Sequence, residues 1–240
     1  MERFSRMKRA TIGLLTLVTT VFVFGACGGR LGELPIEKLK QNLQDVPTYS
    51  IILDDMKEEG NFSNRYYHKY RVVFPEASES TPTEWLEVRE DYYRTNASFL
   101  GMTLVVKKDG QLSSSVSPPG YQYVGDAKYG QWRNDSHGNS FWEFYGKYAL
   151  FSSLFGGHRG PIYRNDYDGY RQYRSRNAPY YGKNNQYGTS GSFTKQSKPN
   201  FYSRRTAREK TKSASFKSRV AKRTGRTRTG YRGRSGGFGK

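Results

Sequence analysis

Three histidines, His68, His137 and His158, are the side chains of this 240-residue chain whose unperturbed chemistry would let them move a proton near neutral pH. They lie far apart, and no two share a turn of helix, so their spacing offers no metal-binding pair. Asp135-Ser136-His137 holds the three residue types of a nucleophilic triad. Side chains adjacent in sequence cannot reach one another in triad geometry, and the segment reads as a turn. Carboxylates gather at Asp54-Asp55, at Glu58-Glu59 and at Glu84, Glu87, Glu90 and Asp91. Such pairs serve acid–base glycoside chemistry or calcium binding, but the loop spacing of a calcium hand is missing and exposed charge is the favoured reading. Gly146-Lys147 and Gly182-Lys183 lack the further glycine and the Ser or Thr of a phosphate loop. No metal and no cofactor are expected. The leaning is against an enzyme; the alternative is a membrane-bound enzyme with its site in the loop-rich region 113–140.

The single cysteine, Cys27, excludes an intramolecular disulfide and a cysteine-based zinc cluster. Its setting is informative. Arg3, Arg6, Lys8 and Arg9 precede an uncharged run from Ala10 to Ala26, which ends in Phe24-Gly25-Ala26-Cys27-Gly28. Basic, apolar and small residues in that order form an export signal. Seventeen uncharged residues diluted by Thr and Gly sit at the short edge of a membrane span, so cleavage is favoured over a permanent helix.

The Gly25-Ala26-Cys27 ending resembles the lipobox of bacterial lipoproteins, a resemblance confined to residues 1–28. The usual Leu three places before the cysteine is Phe24 here. The resemblance implies a signal peptide at 1–26, cleavage before Cys27 and a lipid such as palmitate on its thiol. It implies residence in the bacterial cell envelope, and in the outer membrane of a Gram-negative source because Gly28 rather than Asp stands second. A short membrane-proximal linker, 27–33, would then span roughly 20 Å at most.

Charge divides the remainder of the chain. Residues 159–240 carry 22 Lys and Arg against Asp166, Asp168 and Glu209, which equals the entire formal charge of +19. Residues 27–158 are mildly acidic. The basic end is therefore the part that would meet an anion.

The elements between are read from local pattern. Pro35 opens a short helix whose Ile36, Leu39, Leu43 and Val46 share a face. Tyr49–Leu53 and Tyr66–Phe74 are strands around a turn at Glu59-Gly60-Asn61, and Trp85–Val88 is a further short strand. A helix is expected from Glu90 to Leu100. Met102–Lys108 is a strand turned by Asp109-Gly110. Residues 113–140 read as loop, and Phe141–Phe155 as an aromatic core helix closed by Gly156-Gly157. Hairpin-like pairing without regular β-α-β alternation predicts an α+β fold, a small antiparallel sheet with a few packed helices over 34–158.

Residues 159–240 are expected to be a disordered Tyr/Arg/Gly-rich tail, because aliphatic residues are sparse. Arg204–Arg223 has the composition of a transient basic helix. Arg204, Arg205, Arg208, Lys210, Lys212, Lys217, Arg219, Lys222, Arg223, Arg226, Arg228, Arg232 and Arg234 form the expected anion-binding stretch. Its expected partners are anionic lipid, lipopolysaccharide or a cell-wall polymer, in a protein held to the membrane by its lipid and acting by binding or scaffolding. Nucleic acid suits the composition equally, but an exported chain leaves the cytoplasm, which disfavours it.

Overall fold

Tyr49 to Asp54 are six consecutive buried residues, covered on both faces as only an interior strand allows. In the computed structural model they open β1 (Tyr49–Glu59), the centre of a five-stranded sheet. The structure describes residues 33–60, 63–77, 80, 82–148, 150–153 and 160–227. Residues 1–32, with Cys27, lie outside them, as do Arg228, Arg232 and Arg234.

β2 (Arg65–Val73) pairs antiparallel with β1 along its length. It alternates as the pleat requires, with Tyr66, His68, Tyr70 and Val72 inward. β3 (Leu86–Val88) borders β2, while β4 (Thr103–Lys108) and β5 (Gln111–Ser113) extend the other side, giving the order β3-β2-β1-β4-β5. All these pairings are antiparallel. The expected two-residue turn joins β4 to β5: Asp109 and Gly110 both have positive φ, 48° and 84°, as a tight hairpin demands. α1 (Pro35–Asn42) follows its expected pattern and buries Ile36 and Leu39, with Leu43 and Val46 buried just beyond it. α2 (Glu90–Thr95) is shorter than the expected Glu90–Leu100 helix. The fold class is α+β, as the sequence predicts.

Two expectations fail. Phe141–Phe155 is not one helix. Its first part is β7 (Ser140–Phe144), paired with β6 (Gly130–Asn134) inside the expected loop region. A 3-10 turn at Gly146–Tyr148 and the helical turn α3 (Leu150–Ser153) follow, and the rest lies outside the described residues. Aromatic residues favour strands at least as much as helices, and Trp132 opposite Trp142 supplies the cross-strand pair that decides the outcome.

The second correction concerns the end of the folded body. It does not stop at His158. β8 (Ile162–Tyr163) joins β7, and α4 (Arg164–Ser175), a long turn-rich segment and α5 (Ser192–Ser197) follow within one unit that ends at Lys198. Tyr170, Tyr180 and Tyr187 are buried there. They join Tyr121, Val124, Trp142 and Ile162 in an aromatic core layer. Each such ring buries about 150–250 Å². Tyrosines thus do what missing aliphatics would have done, and residues 160–198 are ordered for that reason.

The second unit contains α6 (Pro199–Thr227), a 29-residue helix. Over Pro199–Thr227 the expectation of a disordered tail gives way to the helix that Arg204–Arg223 suggests, and residues 228–240 lie outside the described residues. From Glu209 through Thr224 its residues are exposed. It rests there on its own hydrogen bonds and on pairs such as Arg205–Glu209 at 3.1 Å.

A chain stopped after Lys198 is expected to unfold cooperatively with a melting temperature within a few degrees of the full chain. A chain stopped after Gly157 loses the aromatic layer and is expected to lose its near-ultraviolet tyrosine dichroism and its sharp transition. Thermal melts of the two truncations check this; equal melts would return the boundary to residue 158.

Candidate functional site

The residues singled out for chemistry go to separate places. His68 is fully buried on β2. Its Nδ1 lies 3.0 Å from the Tyr70 hydroxyl, and its ring packs 5.6 and 5.4 Å from those of Tyr92 and Tyr93. Burial pushes its pKa down to about 4, so it is a neutral packing residue at pH 7. His137 sits exposed in the turn between β6 and β7. There the backbone N–H groups of His137 and Asn139 donate to Asp135 Oδ1 at 2.9 and 2.8 Å. Those donors, Asn139 first, hold the Asp135 carboxyl below its ordinary value. Asp135-Ser136-His137 is thus a turn cap, with its carboxylate committed to backbone. His158 lies outside the described residues.

Asp54 is the one acid of the early cluster that is buried. Arg71 Nε at 2.9 Å and Lys198 Nζ at 2.7 Å both reach its Oδ1. Burial raises its pKa, but the two cations outweigh that and leave it lowered. The cluster therefore ties the last residue of the first unit to its central strand. Glu90 pairs with Arg94 on the surface. Among the described residues no group of three His, Cys, Asp or Glu could hold a metal ion.

Two surfaces remain as candidates, one in each unit. The first is α6. With about 100° of rotation per residue, Arg204, Arg205, Arg208, Lys212, Arg219, Lys222 and Arg223 fall within an arc of about 100°. Seven of the nine cations between Arg204 and Arg223 share this stripe, which runs about 29 Å at 1.5 Å per residue. Lys210 and Lys217 lie on the opposite side. Phe216 and Val220, 62% and 43% exposed, border the stripe, and among the described residues they are the only large exposed apolar ones of this helix. The basic stretch expected from composition is thus a directional array from Arg204 to Arg223, a property that composition does not contain.

The second surface is an open groove of about 640 Å³ in the first unit. The β6–β7 turn and β7 give it Asn139 and Ser140, the start of α4 gives Arg164, Asn165 and Asp166, and the segment before α5 gives Lys183 and Gln186. Tyr121, Gly138, Asn139 and Ser140 come from the 113–140 region of the alternative, enzymatic reading. Both Asp166 oxygens are engaged, by the hydroxyls of Tyr121 and Tyr180. Burial first, and then the Asp166 carboxylate, keep the Tyr180 phenol protonated well beyond its ordinary range. The groove escapes sequence reading because most of its wall lies in residues whose composition predicts disorder. The one available signal is Tyr163, Tyr167 and Tyr170, at the spacing of one helix face.

The chain matches no protein-family model, no curated protein and no solved structure. No described helix is long and apolar enough to cross a membrane.

His68 sets a pH dependence of stability. Its folded pKa of about 4 lies below the unfolded value of 6.5, so the unfolded chain binds the proton first. Its favourable contribution is complete above pH 6.5 and is lost as pH falls toward 4, by roughly 3 kcal/mol. Asp54, whose pKa is lowered, erodes stability only below its ordinary value of 3.8, in a separate window. Urea unfolding between pH 7 and 4 is expected to show the decline in the wild type and a flatter profile in His68→Phe; parallel profiles would contradict the assignment.

Proposed function

We propose that this protein is a lipid-anchored component of the bacterial cell envelope that binds anionic envelope components through α6, and that it acts by binding or scaffolding rather than catalysis. The observation that carries this reading is the stripe from Arg204 to Arg223: seven cations on one face of a helix, bordered by little apolar surface. Each Lys or Arg held near an anionic surface contributes about 1 kcal/mol, so partial engagement of the stripe gives appreciable affinity. Phe216 and Val220 offer too small an apolar face to insert the helix by burial alone, so attraction to charge dominates. Anionic phospholipid, lipopolysaccharide and charged cell-wall polymers all present such charge.

Compartment selects among anions. Phosphodiester chains fit a linear basic stripe equally well, and nucleic acid would be the partner of a chain kept inside the cell. The basic, apolar and small residues leading to Cys27 favour export and a lipid at its thiol, which puts envelope polymers first. A catalytic reading draws no support from His137, whose turn is exposed and whose neighbouring carboxylate is engaged by backbone.

Replacing Arg208, Lys212, Arg219 and Arg223 together by Gln is expected to weaken binding to phosphatidylglycerol vesicles or lipopolysaccharide by at least tenfold. Replacing Lys210 and Lys217 by Gln is expected to change it about twofold. Co-sedimentation at two salt concentrations checks this, and equal losses from both sets would overturn the stripe. In bacterial cells, palmitate labelling is expected in the wild type and absent in Cys27→Ala; label retained in the variant would remove the anchor.

A further inference from the structure

We propose that the groove between the β6–β7 turn, α4 and the segment before α5 is a binding site for an acidic sugar, a pyranose unit carrying a carboxylate or a phosphate. The site is independent of the role given to α6, since it uses different residues in a different unit.

The groove has the size of a small-molecule site, and its wall combines three kinds of group. Tyr163 and Phe193, both half-buried, supply aromatic surface, with the buried Tyr187 ring packed 5.5 Å from that of Phe193. Rings of this kind cover the apolar C–H face of a pyranose and remove it from water. Asn165 and Gln186 supply side-chain amides, each with both a donor and an acceptor end. A sugar hydroxyl is likewise donor and acceptor, so an amide can match a pair of neighbouring hydroxyls. Among the described residues neither amide side chain has a hydrogen-bond partner, nor has Lys183 an ion pair.

Charge makes the preferred sugar an acidic one. Arg164 and Lys183 share the wall with Asp166, the only acid among its described residues, and the two tyrosine hydroxyls already occupy that carboxylate. Arg164 is held in place, 4.6 Å over the Trp132 ring and 3.9 Å from Asp168. Lys183 is the available cation. It stands in a turn fixed by the bond from Asn185 N–H to the Gly182 carbonyl at 3.2 Å. The neighbouring bond from Tyr187 N–H to the Tyr181 carbonyl, at 3.0 Å, closes the same segment. Gly182 has φ of 84° there, and a Cβ would come within 2.7 Å of the Tyr187 ring, so glycine lets the turn pack on one wall of the groove. Simple phosphate would use the cations and only the N–H ends of the amides, leaving their carbonyl ends and the rings unmatched, and a neutral sugar would leave Lys183 unmatched.

The test is amide chemical-shift mapping on the full chain in detergent, titrated separately with glucuronic acid, glucose 6-phosphate, glucose and inorganic phosphate. Glucuronic acid or glucose 6-phosphate is expected to shift the amides of Ser140, Lys183 and Gln186 more strongly than the other two probes do. The tighter of the two identifies carboxylate or phosphate as the acid. Lys183→Gln is expected to weaken that binding about tenfold, Gln186→Ala to weaken it less, and the α6 substitutions to leave it unchanged. Both replaced side chains lie at the surface of the groove, and retained shift dispersion verifies that the variants fold. The proposal is overturned if none of the four probes shifts these amides, if glucose or phosphate alone binds as tightly as the acidic sugars, or if Lys183→Gln binds as the wild type does.

Discussion

The carboxylate of Asp166 receives two tyrosine hydroxyls, one from Tyr121 in the long central connection and one from Tyr180 in the late segment. Much of the first unit depends on this contact. Tyr121 is almost wholly buried and Tyr180 nearly so, and a buried phenol without a partner costs about 1–3 kcal/mol. One acid on the first turn of α4 therefore satisfies two rings of the aromatic layer at once. It joins residues 160–198 to the connection that carries Tyr121 and sets the start of α4 in the groove wall, while the Tyr163 hydroxyl, 3.5 Å from Asp135, reaches the β6–β7 turn. At the other end of the same segment, Lys198 on Asp54 closes the unit on its central strand.

This arrangement changes the meaning of the charge. By composition the basic half of the chain starts near His158. In the structure, residues 160–198 of that half belong to a folded unit, in which Arg164 stacks on a ring and pairs with a neighbouring acid. The concentrated positive charge begins only with α6, where Glu209 is the single acid among the cations. A helix so exposed beyond its second turn gains little from packing there, and its sequence is poor in the large apolar residues that would give it a core-facing side. Its organising feature is instead the alignment of cations, and the natural complement of aligned cations is a polyanion.

Short-range signals are the legible part of this sequence. Pro35 with Ile36 and Leu39 declares α1, and Asp109-Gly110 declares the hairpin of β4 and β5, because each depends on a few adjacent residues. Phe141–Phe144 reads as helix because an aromatic run satisfies both a helix face and a strand, and only the partner of Trp142, Trp132, distinguishes them. The order of residues 160–198 escapes for a different reason. Scarce aliphatics suggest disorder, yet tyrosine buries comparable surface when its hydroxyl finds an acceptor, and the acceptor, Asp166, is identified only once the chain is folded. The groove inherits that blindness, since its wall is built from the same segment. Every cation of α6 is visible in the sequence; their alignment requires the helix to be continuous.

The salt dependence of binding to a soluble linear polyanion such as polyphosphate tests most directly whether one face of α6 is the charged surface of the protein. Each engaged cation displaces a counterion, and for a flexible polyanion the slope of log affinity against log salt is about −0.7 per contact. Engagement of the whole stripe predicts a slope of about −5 for the full chain, cut by more than half when Arg208, Lys212, Arg219 and Arg223 are replaced by Gln. A slope of about −1, or one that these four replacements leave unchanged, would contradict the account.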